Sequence, residues 1–229
     1  MRLLKLTIWI TFPIFIIALA ASLLTTKPYM HISEGLYASH DAIEYDHDYV
    51  AGELMEYLNY RHDDLSFGAD EDSEGPIMRA IEIRHMEDVK QVYTYVRIAG
   101  AVSFIGFMFS AVYLYKHSIR TLYDAFKNTY ILPSFFILFV GGWFIIDFSL
   151  VFTVFHQIFF TNDDWILRSD DVLIQLLPQN FWLVSGALIL VFLALSLGVL
   201  QWFNRAFLKP KMNKEVYNGS HQETGSGTL

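Results

Sequence analysis

"EIRHMEDVKQVYTYVRIAG", residues 82–100, passes from a charged stretch directly into an apolar one. His85 stands near its start, and Arg97 precedes an uncharged run over 98–115. Three further runs of the same kind cover 6–24, 131–155 and 181–203, the third broken only by Asp147. Each is near or above the roughly 20 residues that cross a ~30 Å hydrocarbon core as a helix. Pro13 lies inside the first run, and such a helix tolerates proline. The whole chain is 54% hydrophobic and 17% aromatic, with a mean hydropathy of +0.34 over 229 residues, too apolar for an ordinary soluble domain of this length. The expected fold class is an all-α membrane protein with four transmembrane helices and a structured extracytoplasmic loop region.

The expected order is helix 1–26, loop region 27–91, helix 92–115, linker 116–130, helix 131–156, loop 157–180, helix 181–205 and tail 206–229. "IIALAAS" resembles a signal-peptidase site, but the run before it exceeds the ~7–15 residues of a signal peptide's apolar region, so it reads as an uncleaved anchor. Lysine and arginine set the orientation. They concentrate in 1–5, 116–130 and 204–229 and are sparse in 27–91 and 157–180, which hold most of the acids. Both termini are therefore expected in the cytoplasm of a multi-pass plasma-membrane protein, and both loops outside. The net charge of -8 belongs to the outer side and argues against nucleic acid as a partner.

The absence of cysteine excludes thiol nucleophiles, disulfides and thiolate metal sites. No nucleophile elbow or phosphate-binding glycine loop is present. "HDAIEYDHD" (40–48) offers ligand types for a divalent metal in no known ligand spacing, and reads as a solvated acidic face. Within 46–61, Val50, Leu54, Tyr57, Leu58 and Arg61 share one side of a helix, with Asp46 or Asp48 as its N-cap. Asp170 or Asp171 is expected to cap a short helix over 172–177 lying along the membrane interface near Trp165 and Trp182. The end of the tail, "GSGTL", has the small, polar composition of an added segment.

His85 opens the second helix and His156 closes the third. These helices run antiparallel, so both rings are expected at the outer end, at similar depth. Interfacial anchoring alone does not require them, because Trp and Tyr are the favoured anchors. The alternative is a pair for proton transfer: the start of a helix presents positive potential, which disfavours a charged ring at His85, and a neutral imidazole accepts protons. Arg97 and Asp147 are the only charges inside the runs. Their spacings from His85 and His156 put them at similar depth, so they are expected to form a structural ion pair beneath the histidines.

"IRHMEDVKQVY" before the second helix, "VFHQIFFTNDDW" after the third, "LLPQNFW" before the fourth and the preceding "YLNY" together resemble the four-helix lipoprotein intramolecular transacylases of Gram-positive bacteria. The resemblance covers nearly the whole chain before the tail. It implies a diacylglyceryl-modified lipoprotein substrate, drawn from membrane lipid surroundings, whose sn-2 acyl chain moves to the amine of the N-terminal cysteine to give the lyso form. It maps the family's paired catalytic histidines onto His85 and His156. His85 is expected to act as base and His156 as hydrogen-bond donor, or the reverse, with Asn59, Asp88 and Asn162 orienting the rings. No cofactor and no metal is implied. A lipid-ester hydrolase and a non-enzymatic membrane scaffold with an acidic outer domain are the rival readings.

Overall fold

The computed structural model describes residues 1–37, 47–65, 77–214 and 217. Most of the acidic stretch 40–48, the connector 66–76 and the end of the tail lie outside the described residues. The described chain is helical: α1 (Arg2–Leu24), α2 (Lys27–Tyr37), α3 (His47–Leu58), α4 (Ala80–His117), α5 (Ile119–Asn128), α6 (Ile131–Ile146), α7 (Phe148–Phe159), α8 (Val172–Leu176) and α9 (Gln179–Phe203), the last followed by a π-helical turn at Asn204–Leu208. Four helical stretches, Arg2–Leu24, Ala80–His117, Ile119–Ile146 and Gln179–Lys214, are long and apolar enough to cross a membrane. The chain is an all-α membrane protein. Ile131, Phe135, Leu138, Phe139, Ile145 and Ile146 on α6 are all exposed, and within that helix only Pro133 is buried. In water such a surface would aggregate; in lipid it is the wetted face.

The helices form two compact units. The first comprises 1–17, 99–139 and 190–229. Its core joins Ile8, Phe12 and Ile16 of α1, Leu114 of α4, Ile119, Leu122, Ala125 and Phe126 of α5, and Leu193, Leu197 and Leu200 of α9. The expected linker 116–130 is thus an amphipathic helix. Ser118 caps it, its side chain accepting from the Thr121 N–H at 3.3 Å. Ile119, Leu122 and Phe126 recur at helical spacing and bury one face. The last carbonyls of a helix lack internal partners. Here Trp9 Nε1 donates to the Ala125 carbonyl at 2.9 Å and Gln201 Nε2 to that of Phe126 at 2.6 Å.

The second unit comprises 18–98 and 140–189. Val50, Ala51, Leu54, Met55, Tyr57 and Leu58 of α3 pack with Met30 of α2, Met78, Met86 of α4, Val172, Leu173 and Leu176 of α8, and Phe181 of α9. The helical face expected in α3 is the buried one, except that Arg61 lies past the helix end and is exposed. Tyr60 takes φ 61, and the Arg61 N–H reaches the Glu56 carbonyl at 2.9 Å, a left-handed closure of α3. Within this unit α6 meets α9 closely: a Cβ on Gly186 would stand 2.5 Å from the Phe144 ring.

Three sequence expectations change. The second helix begins at Ala80, well before 92, because Met78, Met86 and a buried Glu82 tie its first turns into the core. The third is not continuous over 131–156. It stops at Ile146 and restarts at Phe148, with Asp147 at φ -158 accepting from the Leu150 N–H at 3.0 Å. An aspartate at that position offers the backbone a cap that competes with helix continuation. Finally, α8 buries Val172, Leu173 and Leu176 inside the protein, so its apolar face packs in the core and is not presented to the interface.

Candidate active site

All elements of the site belong to the second unit. His85 projects from the second turn of α4 and His156 from the last turn of α7. Both side chains are buried, each residue 8% exposed. The rings face each other with centroids 5.9 Å apart and planes tilted 32°. Phe160 stands edge-on to His85 at 5.1 Å and at 5.5 Å from His156. Phe152 and Trp165 approach the His156 ring at 4.1 and 4.9 Å. The pair is therefore packed among aromatic rings that leave little of either histidine exposed.

His156 Nδ1 lies 2.7 Å from the Phe152 carbonyl oxygen. A carbonyl only accepts, so Nδ1 carries the proton, and in the neutral ring Nε2 bears the lone pair. His85 differs: its Nδ1 is buried and meets no partner among the described residues. A buried polar atom without a partner is costly, so its retention calls for an explanation, and a catalytic role is one. The helix-end potential expected at His85 is weaker than the sequence suggests. α4 starts at Ala80, which leaves His85 beyond the first turn, where that potential fades.

The loop after α7 is fastened to α4 on both sides of His85. Arg84 grips Asp164 with both carboxylate oxygens, at 3.0 and 3.2 Å. Asn162 Nδ2 donates to Asp88 Oδ2 at 2.8 Å, and Asn162 Oδ1 accepts from the Asp164 N–H at 3.1 Å. Asp88 and Asn162 are thus brought together, but they bond to each other and to neither histidine. Asn59 is not at the rings. Its amide donates to the carbonyls of Thr25 at 2.9 Å and Met55 at 2.7 Å and accepts from Arg97. Its role is to close α3 against the end of α1.

The expected Arg97–Asp147 ion pair does not form. Arg97 bonds to Asn59 and lies 4.6 Å over the Tyr93 ring, while Asp147 is exposed and caps α7. A helix break at Asp147 satisfies that carboxylate locally, and a neutral amide and a π face satisfy the guanidinium. Asp147→Asn should therefore leave thermal stability almost unchanged, since Asn caps as well as Asp, and Asp147→Ala should cost about 1 kcal/mol. A cost near the ~3–5 kcal/mol of a broken buried pair, read by thermal unfolding in detergent, would restore the ion pair.

Sequence reasoning missed a second fastening. Glu82, fully buried, accepts from the Leu173 N–H at 2.9 Å and the Arg79 N–H at 2.8 Å, and Asp171 takes a bidentate bond from Arg79. Asp171 occupies the N-cap position of α8, but its oxygens are spent on Arg79 and on the Arg168 N–H. The visible signal is the spacing of Glu82 three residues before His85, on a face that the rest of α4's start buries.

Burial alone would push the Asp171 carboxyl up, but the bonds from Arg79 and the Arg168 N–H outweigh it and hold it below the usual aspartate range. The hydrogen bond from Arg84 likewise lowers Asp164. A depressed acid contributes stability that is complete above its unfolded value and is lost as pH falls through the folded one. The stability that these two fastenings contribute should thus be complete from pH 7 to about 5 and be lost below pH ~4, the ordinary aspartate value. An unchanged melting temperature at pH ~3 would show that neither fastening matters. Among the described residues no group of three or more His, Asp or Glu side chains could hold a metal ion.

A family model, Lipoprotein intramolecular transacylase Lit, matches residues 4–182. No curated protein sequence matches the chain. Its fold is similar to that of the membrane-integral lipoprotein intramolecular transacylase Lit from Bacillus cereus, solved in meso. That match has a TM-score of 0.76 at 22% identity and covers 92% of this chain and 96% of the other. Structures of that bacterial protein with an H85A and with an H85R mutation match with TM-scores of 0.73, at 21% and 20% identity, covering 92% and 93% of this chain and 94% of theirs. A family model spanning most of the chain, on a fold of that kind, makes this membrane protein an acyltransferase: the chain belongs to the lipoprotein intramolecular transacylase family.

Proposed function

We propose that the protein moves the sn-2 acyl chain of a diacylglyceryl-modified lipoprotein to the α-amine of its own N-terminal cysteine, with His156 and His85 as the catalytic pair. The observation that carries this reading is the 5.9 Å approach of two buried imidazoles whose nitrogens are differently engaged. His156, its Nδ1 proton committed to Phe152, offers Nε2 as the base. His85, with an uncommitted Nδ1, is the hydrogen-bond donor. This reverses the first of the two assignments open from sequence.

The amine nitrogen attacks the ester carbonyl carbon and gives up a proton to His156 Nε2. His85 donates to the oxyanion that develops on the carbonyl oxygen. The carbon–oxygen bond to the glyceryl sn-2 position then breaks, and the proton on His156 passes to that oxygen. An amide and a free hydroxyl result, with no acyl-enzyme. Donor and acceptor share one molecule, so proximity can contribute up to ~7–11 kcal/mol when they are well oriented. The Phe152, Phe160 and Trp165 rings keep water, the competing nucleophile, from the ester.

Mass spectrometry of a model diacylglyceryl lipopeptide incubated with the purified protein tests the reading. An unchanged mass with one chain now on the amine is the expected result. Loss of a chain would make the protein a hydrolase, and no change a scaffold.

The site faces outward in this reading, with both termini in the cytoplasm, supported by the lysine and arginine distribution. The chain has no cysteine, so single cysteines report cleanly. Asp63→Cys should react with an impermeant thiol reagent in intact cells, and Lys127→Cys should not. The opposite pattern would put the histidines on the cytoplasmic side.

A further inference from the structure

The reaction's acceptor is an α-amine, which at neutral pH arrives largely as an ammonium ion. A site built for it needs a negative group near the rings whose charge is not already spent. Of the carboxylates on the elements around the pair, Asp170 is held by Arg168, and three more are committed. Asp164 is held by Arg84, Asp171 by Arg79, and Glu82 is fully buried on two backbone N–H groups. Asp88 is different. Its one hydrogen bond is from the neutral amide of Asn162, to Oδ2, and it has no ion pair among the described residues. It lies one helical turn after His85 on α4, the spacing at which side chains share a face. Glu87 is exposed and two residues from His85, hence turned away from it, and Asp163 is exposed in the loop.

A second observation points to the same place. His85, 8% exposed, presents an Nδ1 without a partner, one turn from this unneutralised carboxylate. The oxygen pattern is also selective. Asn162 fixes one face of the Asp88 carboxylate through Oδ2 and is itself fixed by the Asp164 N–H, which leaves Oδ1 for an incoming donor.

We propose that Asp88, oriented by Asn162, is the docking group for the α-ammonium of the substrate's N-terminal cysteine. The inference rests on the transacylase reading of the site. Asp88 supplies recognition: it holds the nitrogen beside the histidines, the ammonium gives up one proton to solvent, and the neutral amine then attacks and passes a second to His156 Nε2, which returns it to the sn-2 oxygen. A lipoprotein whose amine is already acylated carries no charge there and forms no ion pair, so the product is released and N-acylated lipoproteins are rejected.

The test uses the full-length protein in nanodiscs at pH about 7, below the ordinary α-amine value of ~7.7–8.0. The probes are two S-diacylglyceryl peptides with an ether at sn-2, so that neither reacts. One has a free α-amine; in the other hydrogen replaces it. The wild type should bind the amine roughly ten- to a hundredfold more tightly, the usual worth of a hydrogen bond between charged groups. Asp88→Asn, which can still accept from Asn162, should bind both alike, and Asp88→Glu should recover part of the preference. Asn162→Ala should reduce the preference without abolishing it. Equal affinity of the wild type for both peptides, or full preference in Asp88→Asn, would overturn the proposal. The ester-linked peptide run in parallel separates the two claims: absence of acyl transfer by the wild type would refute the transacylase reading, whatever the binding shows.

Discussion

His156→Gln is expected to lower formation of the N-acyl product by roughly 10²–10⁴-fold, the usual contribution of general acid–base catalysis. Glutamine is chosen over alanine for a structural reason. The ring packs against Phe152, Phe160 and Trp165, and truncation would leave a cavity that destabilises the site by itself. A glutamine amide can still donate to the Phe152 carbonyl, but it cannot take a proton. His85→Gln should cost somewhat less, because an amide N–H can replace an imidazole N–H towards an oxyanion. The double variant should be little worse than His156→Gln, since groups acting as one unit are not additive. Product release followed by mass spectrometry checks all three. A fully active, folded His156→Gln protein would remove the base from the scheme.

The largest effect on stability is expected at Glu82, well away from the reacting atoms. Its carboxylate is fully buried and accepts from the Leu173 and Arg79 N–H groups, so it pins the start of α8 to the start of α4. Glu82→Ala strands the buried Leu173 N–H, worth roughly 1–3 kcal/mol, and adds the cost of an empty pocket. Glu82→Gln fares little better if its NH₂ turns towards one of those two donors. Both should lower the melting temperature clearly, measured in detergent, and both should retain turnover at low temperature because Glu82 touches no substrate. An unchanged melting temperature in Glu82→Ala would mean that α8 is held by apolar packing alone.

The parts of this fold that were legible from sequence are those where the solvent imposes length. A hydrocarbon layer demands about 20 apolar residues, and all four runs were visible for that reason. The buried face of α3 was legible from helical spacing. α5 was not, because its charged residues and its place between two long runs made 116–130 read as a connector. The break at Asp147 was hidden for a subtler reason. An acid within an apolar run can be a buried charge or a helix cap, and only the backbone at that residue decides between them. Once Asp147 is a cap, Arg97 needs another partner, and it finds Asn59.

The candidate site divides in the same way. The antiparallel sense of two helices is enough to bring His85 and His156 to one end, so the pair followed from topology. Which nitrogen carries the proton depends on where the Phe152 carbonyl lies, and no spacing rule contains that. The fastening of the 162–164 turn to Arg84 and Asp88 joins residues distant in the chain, and it redirects Asp88 and Asn162 from the rings to each other.

The central claim is that the sn-2 chain moves to the cysteine amine. It is tested most directly with a diacylglyceryl lipopeptide carrying an isotopically heavy acyl chain at sn-2 and a light one at sn-1. After incubation with the wild-type protein, fragmentation in the mass spectrometer locates each chain. The account predicts the heavy chain in amide linkage to the cysteine nitrogen and the light chain still esterified to the glyceryl group. A light chain on the nitrogen, or a heavy chain released as free fatty acid, would contradict it.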